Sequence, residues 1–583
     1  MFGARTSKER VLSRSKFFAV AAAVATLAVP AGAQASESLV TGSNPSPFPQ
    51  NKQNEPGLAI DPTDPNVVAA GANEEIDNLP CDGADCNFTP GVGGSGIYFS
   101  FDGGGSWTQP TYQGFSGRDG TAGPGPIGTL PNYYENGLVS DGDPVLAYGP
   151  KPNGNGGFTY ANGARLYYAN LTSSFPGGSA FKGFEAIAVS HTDDAVAAAG
   201  GDASAWSDPV LASKQSSTSF SDKEAVWADN AHSSPHFGNV YTCYTAFRST
   251  SGPPEPIFFS RSVNGGESFQ KAYHLSPAYN SNQNPGRQGC AVRTDSDGNV
   301  YAVWEDTVKK QSVFRMAIST DGGKSFGKAK VVADVTDVGQ FDGVRSISFD
   351  GIAGARTSSF PSLDIANGAP SGTGAPDTIA IGWSDGSDGL NSEHALVQLS
   401  GNGGQTFTDP EQVDEAGDRP DFAFIGISPD GSDLYTVYDA FLDPFRNDTT
   451  SSRRFQGVTR HSNVNGTNLG ATTTLDRGAI GDARASSANA LIDEFIGDYN
   501  TVGATNAGAV SVFNDARNAA VCPEMNEFRQ EVVDEGGEGE IGEVDERGEH
   551  EAPDPEAPEP PTDCPPTFGN TDIWSAVVAD PTP

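Results

Sequence analysis

Residues able to do acid–base chemistry recur at similar places along this 583-residue chain. Asp222 and Glu224 sit two apart in the alternating stretch Asp222-Lys-Glu-Ala-Val-Trp-Ala-Asp229, so a regular strand would present both on one face. Two carboxyls are the minimum for glycoside hydrolysis, one protonated as the acid and one ionised as base or nucleophile. Asp143, Asp418, Asp498 and Tyr499 stand at comparable points of similar segments and could supply partners. The same residues would equally line a water-filled channel as a polar ring, and spacing does not separate the two readings. Arg287, Arg345, Arg356 and Arg419 lie in or beside these segments, where they could hold an anionic ligand or pair with the many carboxylates. Metal chemistry finds little support. Asp295-Ser-Asp297-Gly-Asn299 opens like a calcium loop, but Val300 occupies the sixth position, where such a loop requires glycine. His232 and His236 flank Ser-Ser-Pro, which interrupts any helix that would align both on zinc. None of the seven histidines pairs with a Gly-x-Ser-x-Gly elbow, and no phosphate-cradling loop stands in a β–α context. No cofactor is therefore expected, and no ligand spacing supports calcium.

The elements that must position these groups are short strands. Seven segments share a pattern of Pro or Asp followed by an apolar run: Glu55–Asp61, Gly142–Ala147, Asp222–Asp229, Gly289–Asp295, Phe360–Ile365, Arg419–Ile425 and Gly497–Val502. Second strands such as Asn299-Val-Tyr-Ala-Val-Trp304 and Asp433-Leu-Tyr-Thr-Val-Tyr438 alternate over five or six residues between Asp/Gly turns. Long helical periodicity is not evident. Four further segments repeat the form S-x-[DN]-G-G-x-[ST]-[FW]: Ser100-Phe-Asp102-Gly-Gly104-Gly-Ser106-Trp107, and the copies centred on Asn264, Asp321 and Asn402. Asp-Gly and Asn-Gly supply the positive φ of a tight hairpin, and the Asp or Asn side chain can accept from the turn's own amides. Four copies at intervals of roughly 60 to 160 residues mark a repeated β-unit.

This repeat resembles the Asp-box, or BNR repeat, of sialidases and related β-propellers. The resemblance implies an all-β propeller of four-stranded blades over residues 55–583. The seven segment starts count seven blades, with the six of true sialidases as the alternative. It also implies that Asp102, Asn264, Asp321 and Asn402 are scaffold, in hairpins between third and fourth strands away from the catalytic face. Sialidases carry an Arg-Ile-Pro motif whose arginine binds the substrate carboxylate, with an Asp acid/base and a Tyr nucleophile activated by Glu. Here the matching place reads Asn54-Glu55-Pro56. An amide offers no charged fork to a carboxylate, which argues against sialic acid as substrate. The catalytic candidates are accordingly Asp222, Glu224 and Tyr499, with Asp143, Arg287, Arg345, Arg356, Arg419 and Asp498 as ligand-binding candidates. The function implied is an exo-acting glycoside hydrolase on extracellular glycans, and the alternative is a non-catalytic propeller binding carbohydrate or protein at its channel mouth.

Charge and export signals narrow the partners. Lys plus Arg number 35 against 74 Asp plus Glu, a formal charge of −39. Such a surface repels phosphate backbones and anionic lipid, so nucleic acid is excluded as a partner. A basic segment from Arg5 to Lys16, the apolar run Phe17–Pro30 and small residues at Ala31-Gly-Ala33 form a secretory signal over residues 1–35, too short to span a membrane. The expected protein is secreted, without a membrane span, and monomeric, meeting a glycan or glycoprotein. Six cysteines in an exported chain favour disulfides, though six allow 15 pairings. Proximity suggests Cys81–Cys86. Cys522–Cys564 would close the base of an acidic insertion, and Cys243–Cys290 would tie neighbouring repeats. Residues 36–54 are expected as an extended lead-in, and the acidic, proline-ended insertion 531–563 as disordered.

Overall fold

A computed structural model describes residues 35–582 apart from 43–46, 82–85, 87, 179, 182–183, 214–217, 249–253, 279–285, 343–345, 349–358, 490, 492, 535–559 and 562. The expected signal sequence, save Ala35, lies outside these residues, as does most of the acidic insertion. The chain builds seven antiparallel sheets as the blades of a β-propeller. Each blade starts with an inner strand: Gln53–Ile60, Val145–Pro152, Ser219–Ala228, Arg287–Thr294, Ser362–Ile365, Arg419–Ile427 and Thr501–Thr505. These coincide with the seven segments expected to start the units, so the count of seven holds and six is excluded.

Ring closure is visible in the packing. Seven apolar clusters among the described residues each join one blade to the next. The last of them brings Val510, Val512 and Ile573 of blade 7 against Leu58, Val68 and Tyr98 of blade 1. A sheet so closed leaves no inner edge to pair with another chain. The seam is finished by backbone pairing as well. The lead-in expected over 36–54 opens with a strand, Ser36–Leu39, which pairs antiparallel with Asp572–Ala579, the third strand of blade 7. Four residues were too few to show alternation in the sequence. The strand is held by its partner, and by Glu37, whose carboxylate accepts two hydrogen bonds of 2.9 Å from Arg517.

The four Gly-rich repeats each follow a third strand, in blades 1, 3, 4 and 5. They share one hydrogen-bond plan. In blade 1 the Ser100 hydroxyl donates to Asp102 at 2.8 Å and accepts from the Gly104 amide at 2.9 Å, while Asp102 accepts from the Ser106 amide at 2.9 Å. Ser262 with Asn264, Ser319 with Asp321, and Ser400 with Asn402 repeat it at 2.7, 2.8 and 3.0 Å. The second glycine has positive φ each time and abuts the preceding blade: a Cβ on Gly323 would lie 2.9 Å from Phe259, and one on Gly404 2.9 Å from Met316. These hairpins are therefore staples between blades. In blade 3 the repeat begins at Ser262, in line with Val240 and Ala228, whereas Asp222 pairs with Thr245 at the other end. The hairpin and the start of the inner strand thus lie on opposite faces of the disc.

All three expected disulfides are formed: Cys81–Cys86, Cys243–Cys290 and Cys522–Cys564. The second links the middle strand of blade 3 to the inner strand of blade 4. Two helices were not expected: a single turn over Ala195–Ala199, and a longer helix over Pro523–Asp534 whose last turn occupies the start of the acidic insertion. Its Met525, Phe528 and Val532, spaced three and four apart, pack with Phe48, Cys86 and Phe568. Four apolar side chains after Pro523, two of them adjacent, among glutamates are a weak period in the sequence.

Candidate active site

The inner strands do not start as regular strands. In blades 1, 3, 4 and 6 the register slips by a bulge between Asn54 and Gly57, Asp222 and Ala225, Gln288 and Ala291, and Asp421 and Phe424. Each bulge holds one residue in the left-handed region, namely Glu55, Lys223, Gly289 and Phe422, with φ of 57°, 51°, 61° and 52°. Asp143, just before the inner strand of blade 2, joins them at 53°. Non-glycine residues there cost on the order of 1 to 3 kcal/mol each, and such bulges re-aim side chains near active sites. Two-residue alternation therefore fails between Asp222 and Glu224, and the expectation that they share a strand face is corrected. Lys223, between them, takes the central position.

At the mouth of the channel the Lys223 ammonium lies 2.8 Å from Asp498, 3.5 Å from Asp143 and 4.0 Å from both Glu55 and Asp222. The rings of Tyr499 and Phe360 stand 5.6 and 5.8 Å from it. Burial alone would lower the ammonium's pKa, but Asp498, Asp222, Asp143 and Glu55 together hold it well above the ordinary range. Blades 1, 2, 3 and 7 thus each contribute an acid to one cation. Beneath them is a cavity of about 140 Å³ walled by all seven inner strands, including Leu58, Leu146, Ala225 and Val502.

Glu224 lines the same cavity and differs from its neighbours. It is 5 % exposed, and neither carboxyl oxygen has a hydrogen-bond partner among the described residues. Burial pushes its pKa well above the usual carboxylate range, and the charges of Asp143 and Asp222 push it further. The mouth therefore sets a buried carboxyl of raised pKa beside aspartates gathered around an ammonium. A second buried acid pair, Asp141 and Glu185, stands nearby: burial first, and then the charges of Asp141, Glu224 and Asp143, raise Glu185. Tyr499 is also at the mouth, but burial and then Asp143 and Glu55 drive its phenol upward, which disfavours the phenolate a nucleophile requires.

Of the ligand-binding candidates, Asp143 and Asp498 join the cluster and the described arginines do not. Arg287 pairs with Asp306 at 3.2 Å, and Arg419 donates to Glu393 at 2.9 Å. Arg345 and Arg356 lie outside the described residues. Asp418 pairs with Arg477 at 2.8 Å and is not among the acids around Lys223. Arg293 reaches the channel lower down, 3.3 Å from Asp364 and stacked 4.4 Å from the Trp227 ring. At the Asn-Glu-Pro position Asn54 is buried and accepts from Asn73 at 2.9 Å, while Glu55 accepts from the same amide at 2.7 Å. Sequence reasoning had passed over Lys223 and Glu55, although one lay between two flagged carboxylates and the other inside a flagged motif.

No protein-family model and no curated protein matches the chain. Among solved structures it is similar to the α-L-arabinanase of Penicillium chrysogenum complexed with arabinobiose, at 11 % identity and a TM-score of 0.41, over 76 % of this chain and 99 % of that one. It is also similar to the phage phi92 endosialidase, at 9 % identity and a TM-score of 0.40, over 94 % and 69 %. For the Hadza microbial sialidase Hz136 the values are 11 % and 0.35, and the chain spans 64 % of that protein's length.

Proposed function

We propose that this protein is a secreted glycoside hydrolase that cleaves a neutral sugar from an extracellular glycan at its channel mouth. The reading rests on one observation: a buried, unpartnered Glu224 beside Asp143, an aspartate paired with the Lys223 ammonium at 3.5 Å. Glu224 would donate its proton to the glycosidic oxygen as the bond to the leaving group breaks, and Asp143 would act from the other side of the ring as base or nucleophile. The acids around Lys223 leave the mouth net negative, and Asn54 stands where a carboxylate-binding arginine would be needed. Both features favour an uncharged substrate over a sialoside.

The test is a panel of neutral aryl pentosides and hexosides with an aryl sialoside as comparison. Turnover of at least one neutral glycoside is expected, and Glu224→Gln should lower it by about 100-fold or more while leaving the melting temperature unchanged or raised. No turnover of any neutral glycoside, or an unaffected Glu224→Gln variant, overturns the reading. The alternative, a propeller that only binds, is favoured by Lys223 filling the centre of the mouth. It would give glycan-array binding with no turnover.

A further inference from the structure

On the face opposite the mouth, the second strand of blade 6, Asp433–Phe441, pairs with its third, Arg454–Asn465, so that Tyr435 lies directly across from His461. Asp433 is two residues before Tyr435 and hence on the same side of the sheet. Its carboxylate lies 2.8 Å from the His461 Nε2. The third group arrives from another blade. Asp580 follows the last strand of blade 7, is tied down by its amide to the Ala507 carbonyl at 2.9 Å, and is followed by Thr582, whose hydroxyl donates to Asn463 of blade 6 at 2.6 Å. Asp433, His461 and Asp580 thereby place one ligand atom each within 4.8 Å of one another, two of the residues buried. A hydrogen-bonded Asp–His pair alone would be ordinary structure. The independent observation is Tyr435: it is fully buried, its hydroxyl has no partner among the described residues, and its ring stands 5.1 Å from that of His461. Its place two residues after Asp433 and directly across from His461 sets it beside the same small space. A phenol left unpaired beside two carboxylates is costly unless something fills the gap.

We infer that Asp433, His461 and Asp580 form a divalent-metal site that clasps the C-terminal tail of blade 7 to blade 6. One imidazole with two carboxylates is a donor set that suits zinc, with a water completing the four-coordinate shell and reaching the Tyr435 hydroxyl. The site is structural, far from the channel mouth, and requires nothing of the hydrolase reading. The experiment is titration of the EDTA-treated, full-length protein with ZnCl2 by calorimetry, alongside melting curves and CoCl2 absorption spectra. Expected are a saturable one-to-one step with affinity tighter than millimolar, a rise in melting temperature at saturation, and a visible cobalt band of a four-coordinate site. Asp580→Asn, which alters only a partly exposed tail residue, should abolish all three, as should His461→Gln. Absence of a one-to-one zinc step overturns the inference. So does a step of unchanged affinity in Asp580→Asn, since the zinc would then sit elsewhere on this acidic chain.

Discussion

Lys223 is the one residue at the mouth whose charge every neighbour depends on. Removing one member of a buried ion cluster leaves the others uncompensated and typically costs about 3 to 5 kcal/mol. Lys223→Met should therefore lower stability by about that amount at pH 7.5, as read by denaturant unfolding, with the loss shrinking at pH 5 as protons replace the ammonium. A loss independent of pH would mean that Lys223 acts through packing rather than charge. The residue also shows where sequence reasoning reached and where it stopped. Asp143, Asp222, Glu224, Asp498 and Tyr499 were legible as a set, because unit starts in repeated blades converge on one end of the axis. Their division of roles was not. Whether a carboxyl keeps its proton depends on burial and on charges from other blades, here Asp143 from blade 2 acting on Glu224 from blade 3. Arg287 and Arg419 were misplaced for the same reason: each has an acid of its own, Asp306 and Glu393.

At the level of the strand and hairpin, local signals were strong where a turn enforced them. The Asp/Asn-Gly-Gly pattern dictates backbone conformation within eight residues, and all four copies adopt it. Gly323 has φ of 74° and abuts Phe259 and Tyr241 of blade 3, so Gly323→Ala meets both a backbone and a packing penalty. An overall loss of about 1 to 3 kcal/mol is expected, with KM and kcat on any glycoside unchanged because the hairpin faces away from the mouth. Altered kinetics at full stability would contradict that separation of faces. The bulges were not legible, since Asp222-Lys-Glu-Ala reads as regular alternation and nothing local marks Lys223 as left-handed. Only Gly289 wears the residue type its conformation favours. That glycine is locked in turn by Phe360, 2.5 Å from where a Cβ would be. The helix Pro523–Asp534 was missed because its burial depends on two disulfides and on Phe48, from far along the chain.

Across the whole molecule, burial of acids sets the pH response. Burial raises Glu74 and Asp229, both fully enclosed, to about 7, and Asp572 to about 6. A carboxyl whose folded pKa lies above its unfolded one binds its proton more tightly when folded, so stability falls as pH rises between the two values. For Glu74 the window runs from 4.5 to about 7, with a cost on the order of 3 kcal/mol once complete. The net negative surface works in the same direction. Melting temperatures should thus be higher at pH 5 than at pH 8, and a flat or opposite trend by calorimetry would show that these acids are ionised in the folded state. The blade count and the order of strands could be read from the chain because each unit repeats the same plan. The seam could not, as it joins segments from opposite ends of the sequence. Thr41 and Asp572, 531 residues apart, share a hydrogen bond there, and Ser36–Leu39 pairs with no other strand among the described residues. The strand Ser36–Leu39 must accordingly wait, unpaired, until Asp572–Ala579 has been synthesised. Until then six and a half wedges make an open arc with a raw border, and a nascent chain in that condition would profit from a chaperone that shields that border.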